Sequence, residues 1–307
     1  FGSSARIHSA RALPVLHAPF APPFSSGRLR RAMERAACEG ASSNADELMR
    51  AESLQSPAGP VRIEGTEDRA ITVPQLDALM GYIEQHCVAQ QWATTDPRAA
   101  SGEELLYPDI INLYDTVHWV VKPATKAFEC SYVELVAEGP QVPQWFVSHW
   151  WGEPHRHFVE CVRRHRGDRA LPDGAPYWVC AYANNQWRAA NEVGEDPAQS
   201  SFRRAMMKTC GTLTILDDHA VTYTRIWCVY EIWVTLCDAG PHYMFDVYTF
   251  VVSANASAGN SFAVGLTDGV AAADGTWLQA KAKRESSFPL RLIMRVLDLD
   301  LKKRPGL

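Results

Sequence analysis

Several features are missing from this sequence, and each absence removes a class. Among its 307 residues no run of 18 or more is apolar. The longest candidate, YMFDVYTFVV from Tyr243, is short and carries Asp246, so no membrane-spanning helix is expected. None of the eight cysteines (38, 87, 130, 161, 180, 210, 228, 237) is spaced as C-x-x-C, and most sit in apolar segments. That pattern argues against a zinc ribbon or a disulfide scaffold and for reduced, buried thiols in a cytoplasmic protein. There is no G-x-x-x-x-G-K-S/T and no G-x-G-x-x-G, so ATPase and dinucleotide-dehydrogenase readings lack their phosphate cradle. Basic residues are not in surplus: 30 Lys and Arg stand against 35 Asp and Glu, which speaks against general affinity for nucleic acid. What is present is ordinary for a globular chain, with 47% hydrophobic and 21% charged residues, too apolar for wholesale disorder.

The composition changes along the chain. Residues 1–65 are rich in Ala, Ser, Pro and Arg, with a short helical candidate at Arg30 to Cys38, and are expected to form a mostly disordered leader. From Val73, Leu76, Leu79, Met80, Ile83 and Cys87 recur at helical spacing, and Pro74 suits a first helical turn. A second apolar block runs from Ile110 to Val121 and is expected to stop at Pro123. Together they predict an accessory helical segment over 66–143.

From Gln144 strands and helices alternate as a parallel sheet requires. WFVSH (Trp145 to His149) is a first strand, followed by a helix with Phe158, Val159 and Val162 on one side. YWVCAY (Tyr177 to Tyr182) is a second, TLTILDD (Thr212 to Asp218) a third and YMFDVYTFVV a fourth, with helices over Ser200 to Lys208 and Ile226 to Cys237 between them. The predicted architecture is an α/β, doubly wound parallel sheet over 144–252. Residues 253–307 are expected to hold a mobile loop to Gly275 and a terminal helix over Phe288 to Leu301.

Chemistry concentrates in the helix from Ile226. Ten of the twelve residues in IWCVYEIWVTLC are apolar, so the helix is expected to be buried all round, and its lone Glu231 then needs a reason. One reason is a structural ion pair, with Arg225 as partner. The other is a catalytic carboxylate whose pKa is set by a poorly solvated pocket. In a sheet of strand order 2-1-3-4-5, ligands bind beyond the carboxyl ends of the first and third strands. Those ends carry Ser148, His149, Trp150 and Trp151, and Asp217 and Asp218; the turn Asn184, Asn185, Gln186 and Trp187 opens on the same side. Hydroxyl, imidazole, amide and indole groups on one rim suit a polar ligand with flat rings, such as a nucleotide.

Each of these has a plainer reading: the tryptophans as packing, His149 as a strand cap, Asn184 to Gln186 as an Asx turn. Cys180 or Cys228 with His149 is a conceivable nucleophile pair, but apolar surroundings should keep both thiols protonated. No metal site is expected, because His155 and His157 flank Arg156 at a helix start, where i and i+2 do not share a face; they read as solvated.

The order FVSHWWGE, YWVCAYANNQ, then TLTILDD with R-x-W-C-x-x-E-I resembles a Toll/interleukin-1 receptor (TIR) domain in its SH-containing form, and a divergent TIR-like module of unicellular algal proteins. The resemblance covers about residues 144–252. It implies a flavodoxin-like fold of about five parallel strands and two kinds of activity. Some TIR domains are NAD glycohydrolases, releasing nicotinamide; others act only by self-association and partner docking, so a homo-oligomer is implied as well as a nucleotide partner. In the enzymatic kind the essential carboxylate maps onto Glu231. Ser148, His149, Trp150, Trp151, Asn184, Asn185, Gln186, Asp217 and Trp227 would line the substrate site. NAD would be substrate, with no further cofactor. An anionic carboxylate steadies an oxocarbenium-like ribose, and because the nicotinamide ring is already cationic in NAD no general acid is required.

Overall fold

Reciprocal caps start the helices. The Thr72 N–H donates to the Gln75 side-chain oxygen at 3.0 Å as helix α1 (Val73–His86) begins, with Pro74 in its first turn. Asn112 and Asp115 exchange bonds in the same way, at 3.1 and 3.4 Å, as do Ser131 and Glu134, at 2.8 and 3.2 Å. The first of these two pairs opens α2, a continuous run of Leu113–Thr116, a π-turn at Val117–Val121, and Lys122–Thr125. The second opens α3 (Tyr132–Val136).

Pro123 therefore does not end the second apolar block as expected. The Lys122 N–H reaches back five residues to the Val117 carbonyl, so the chain widens just where proline can donate nothing, and the helix passes through.

The computed structural model describes residues 54–57, 59–96, 104–194, 196–252, 261–267 and 279. The Arg30 to Cys38 helix, most of the expected leader and the Phe288 to Leu301 helix lie outside the described residues.

Among the described residues the sheet has six strands: β1 (Ile71–Thr72), β2 (Trp145–Ser148), β3 (Pro176–Trp178), β4 (Gly211–Leu216), β5 (Met244–Val251) and β6 (Phe262–Gly265). Their order is β1-β3-β2-β4-β5-β6. The four inner strands are parallel, and each edge is closed by an antiparallel strand. The α/β reading holds in this form, with four parallel strands where the resemblance implied about five.

Three expectations need correction. The accessory segment is not a separate layer. It supplies the edge strand β1, and Ile71, Leu76, Ile83, Leu113 and Val133 share one core with Trp145, Val147, Phe158 and Leu213. The second strand is shorter than YWVCAY, because after Trp178 the chain turns into helix α5 (Cys180–Ala183). The sheet also extends past 252. β6 lies inside the stretch expected to be a mobile loop and pairs with β5 from Val251↔Phe262 to Tyr248↔Gly265.

Helices cover both faces. On one, α1 and α4 (His155–Asp168) bury Leu76, Ile83, Phe158 and Val162 over Val147, Leu213 and Ile215. On the other, Phe146 and Trp178 pack with Ala205 and Met206 of α7 (Ser201–Met206) and with Val234. The remaining helices are α6 (Ala189–Val193) and α8 (Ile226–Trp233), which runs on into a π-turn at Val234–Asp238. Burying each large apolar side chain contributes about 1.5 to 3 kcal/mol relative to leaving it in water. Gly211 begins β4 because a Cβ there would lie 2.6 Å from the Trp145 ring and 2.8 Å from Met244.

Strand order reverses between β2 and β4: the chain leaves β2 for β3 on one side and returns to β4 on the other. Their carboxyl ends, Ser148 and Thr214 in register, therefore open a crevice between loops that diverge to opposite faces.

Candidate functional site

Side chains alternate along a strand, so Ser148 shares the α8 face with Phe146, while His149 follows Val147 to the α4 face. Across the register, Thr212 and Thr214 face α8 with Ser148. This stripe of hydroxyls explains which side α8 turns inward.

Within α8 the buried residues are Cys228 and Glu231, continued by Thr235 in the π-turn. Thr235 Oγ1 meets Thr212 Oγ1 at 2.8 Å, and Ser148 Oγ donates to Glu231 Oε2 at 2.5 Å. The expectation of a helix buried all round is thus overturned. The polar stripe faces the sheet, where hydroxyls can bond it, and the apolar stripe faces out: Ile226 is 78% exposed, Leu236 63%, with Val229 and Trp233 also exposed.

Glu231 is 4% exposed. It forms no ion pair with Arg225, the partner named for a structural role. Among the described residues its side-chain bond is from Ser148. Burial raises its pKa to about 8, against the opposing effects of the Ser148 bond and the Arg225 charge.

His149, 5% exposed, has neither ring nitrogen bonded, and its ring lies 4.8 Å from that of Phe158. Burial, with the Arg225 charge adding, lowers its pKa to about 3, so the imidazole is neutral. Trp151 is half-buried. Its Nε1 donates to Cys180 Sγ at 3.2 Å, and its ring is tilted against that of Tyr114 at 5.5 Å. Trp150 is half-buried beside it.

The other expected site residues are committed to local structure. Asn184 accepts from Ser201 Oγ at 2.8 Å. Asn185 donates to the Glu129 carbonyl at 2.5 Å and accepts the Trp187 N–H at 2.9 Å, an Asx turn. Gln186 donates to the Ala181 carbonyl at 2.9 Å. Asp217 accepts the N–H groups of His219 and Val221 at 3.0 and 2.7 Å, and Trp227 stacks on Phe202 at 5.4 Å. Ser148, His149, Trp151 and Glu231 gather at the carboxyl end of β2; the Asn184 and Asn185 side chains are tied to Ser201 and Glu129, and that of Gln186 to its own turn.

Three residues escaped sequence reasoning. Glu153, 2% exposed, leaves Oε2 unbonded, and burial together with the charges of Asp217 and Asp218 raises its pKa well above the ordinary range. The acid in WWGE was the available signal. Thr214 Oγ1 is buried without a partner. Tyr114 belonged to the supposedly separate segment, and nothing local marked it.

His155 is not solvated, as its place at a helix start suggested. It is fully buried, with Nε2 2.6 Å from the Tyr182 hydroxyl, because α4 begins under α5 rather than at the surface. The seven described cysteines are free thiols. Burial pushes Cys180 up to about 12 and raises Cys228 further, against a nucleophilic role. Among the described residues no three His, Cys, Asp or Glu side chains group to hold a metal ion, and no helix is long and apolar enough to cross a membrane. No protein-family model, curated protein or solved structure matches the chain.

Proposed function

We propose that the chain carries a TIR-like, flavodoxin-like domain that cleaves the bond between nicotinamide and ribose in NAD or a related nucleotide, with Glu231 as the catalytic carboxylate. The observation that carries this reading is Glu231 itself: a buried acid without an ion pair, held by Ser148 at the reversal point of the sheet. A purely structural carboxylate in that position would be expected to have a cation.

In the reaction the C1′–N bond breaks and its electron pair leaves with nicotinamide, which departs neutral. The ribose becomes oxocarbenium-like, and the Glu231 carboxylate steadies that positive charge until water adds at C1′ and gives up a proton. The pyridinium charge of the bound substrate would draw the proton from Glu231, since an adjacent opposite charge favours the ionised acid. Trp151 and Tyr114 offer faces for a flat ring.

The test is nicotinamide release from NAD by concentrated protein, compared with Glu231→Gln after circular dichroism has shown both folded. Release that disappears in the variant supports the reading; equal release from both removes Glu231 from the mechanism.

A second reading is a non-catalytic self-association module. The exposed stripe of Ile226, Val229, Trp233 and Leu236 favours it, since apolar residues grouped on one helix face suit a partner surface. It predicts concentration-dependent sedimentation that Trp233→Glu abolishes, with no nicotinamide release at any concentration.

A further inference from the structure

Helix α8 turns four large apolar side chains to water. Ile226, Val229, Trp233 and Leu236 are each 45% exposed or more. They follow one another at steps of 3, 4 and 3 residues along α8 and its π-turn, the spacing of a seam that receives another helix. The Trp233 ring stacks on Tyr230 at 6.1 Å, which fixes the largest of the four on this face. Other large apolar side chains exposed among the described residues, such as Val88, Tyr107, Phe128 and Val142, lie in turns and loops. Among the described residues only α8 gathers four on one helix face.

The chain itself carries a second seam. In the sequence of 288–301, which lies outside the described residues, Leu290, Met294, Leu297 and Leu301 are spaced by 4, 3 and 4 residues. Arg291, Arg295 and Asp298 repeat beside them, so at helical period the polar residues form a separate stripe. The described chain leads toward α8. Past β6, Thr267 sits at the amino end of the sheet with its hydroxyl 3.4 Å from Asp246, and the π-turn that closes α8 at Asp238 lies at that end too, just before β5 begins at Met244. Twenty residues separate Thr267 from Phe288, and at about 3.3 Å each they reach across the sheet with length to spare. The opposite face is already covered by α1 and α4, which bury Val147, Leu213 and Ile215.

We infer that the α8 stripe is the seat of 288–301 of its own chain, docked as an antiparallel helix with Leu290 toward Leu236 and Leu301 toward Ile226. Charge sets this direction. It brings Asp298 and Asp300 to the head of α8, where Arg225 and the first-turn N–H groups are positive, and carries Lys302, Lys303 and Arg304 beyond the helix end. Burial of two apolar seams drives the contact. The inference is independent of the NAD-cleaving reading. It competes with the self-association reading, because the tail and a second copy need the same four side chains.

The test places a thiol in the seam of the full chain as Val229→Cys and follows its alkylation by iodoacetamide with peptide mass spectrometry. Adding Leu297→Glu should speed alkylation by about tenfold or more, and the protection it removes should not depend on protein concentration. Asp300→Arg should speed it less. Combining Asp300→Arg with Arg225→Glu should restore protection, which a variant that merely fails to fold cannot do.

Equal alkylation with and without Leu297→Glu overturns the docking. Protection that fades on dilution and ignores Leu297→Glu also overturns it, and gives the stripe to a second copy of the chain.

Discussion

Each end of the sheet buries a histidine and a carboxylate, and the two ends treat them in opposite ways. At the amino ends, Asp246 of β5 accepts from Arg169 Nε at 2.8 Å and Nη2 at 2.6 Å, and from His165 Nε2 at 3.0 Å. His165 Nδ1 lies 2.9 Å from the Tyr177 hydroxyl. Burial works against the Asp246 charge, but the bonds from His165 and Arg169 outweigh it and hold its carboxyl below the ordinary range. Burial likewise outweighs the pull of Asp246 on His165 and keeps that ring neutral. Beside them the Trp145 N–H goes unbonded, its ring lying under Arg169 at 5.6 Å.

At the carboxyl ends, His149 bonds with neither nitrogen, Glu153 leaves an oxygen open and Thr214 has no partner, and among the described residues no acid pairs with Arg225. Buried polar groups tied to one another hold a fold together; buried polar groups left open lower its stability. An end that leaves so many open gives up stability that the amino end keeps.

Breaking the amino-end network tests the stabilising half of this contrast and has the largest expected effect. Asp246→Asn leaves Arg169 and His165 without their anion and should destabilise the protein by about 3 to 5 kcal/mol in urea unfolding. The pH dependence follows from the lowered Asp246 pKa. Its contribution is complete above the unfolded-chain value of about 3.9 and is lost as pH falls through the lower folded value. Wild-type Tm should therefore drop through this acid window, and the variant's should drop less. A variant within 1 kcal/mol of wild type would dissolve the contrast.

Glu231→Gln should do the reverse: lower nicotinamide release by about a hundredfold or more while leaving the fold intact. Because the Glu231 pKa is raised to about 8, the native state holds its proton more tightly than the unfolded chain. Wild-type stability should fall as pH rises from about 4.5 toward 8, and the Gln variant should escape that fall, so the two melting curves diverge with pH. In the wild type, release should rise through about pH 8 as the native carboxylate ionises. Release that is flat from pH 6 to 9, with no divergence in Tm, would show that this acid does not titrate as its surroundings dictate.

The parts of this contrast visible in the sequence were those written in local pattern. The β2, β4 and β5 runs, the α4 face of Phe158, Val159 and Val162, and the lone acid in α8 all follow from periodicity and composition. The reversal between β2 and β4 followed from the alternation of elements. What escaped depended on neighbours far away in the chain. The inward face of α8 is chosen by Ser148 and Thr212, so a helix with ten apolar residues in twelve turns its polar stripe inward. Edge strands of two and four residues, β1 and β6, carry too little pattern to be seen. Tyr114 reaches Arg225 across 111 residues, a contact no spacing rule encodes.

Two smaller effects sharpen the carboxyl-end half, and both carry a sign opposite to Asp246→Asn. His149→Leu replaces an imidazole with two open nitrogens by an apolar side chain against Phe158. It should raise stability by about 1 to 2 kcal/mol in urea unfolding.

The smallest effect comes from Thr214→Val. The change keeps the β-branched shape that suits a strand and removes only the hydroxyl, which is buried in β4 without a partner next to Ser148. Val for Thr ordinarily lowers stability where the hydroxyl is bonded, as at Thr212, whose Oγ1 meets Thr235 and Tyr243 at 2.8 and 3.2 Å. The pair is thus its own control, two threonines on one face of one strand. Thr214→Val should stabilise by about 0.5 to 1 kcal/mol and Thr212→Val should destabilise by a similar amount, measured by urea midpoint at constant m-value. If both substitutions lower stability, the open hydroxyl at the crevice is satisfied in solution, and the carboxyl end is less unfinished than its geometry indicates.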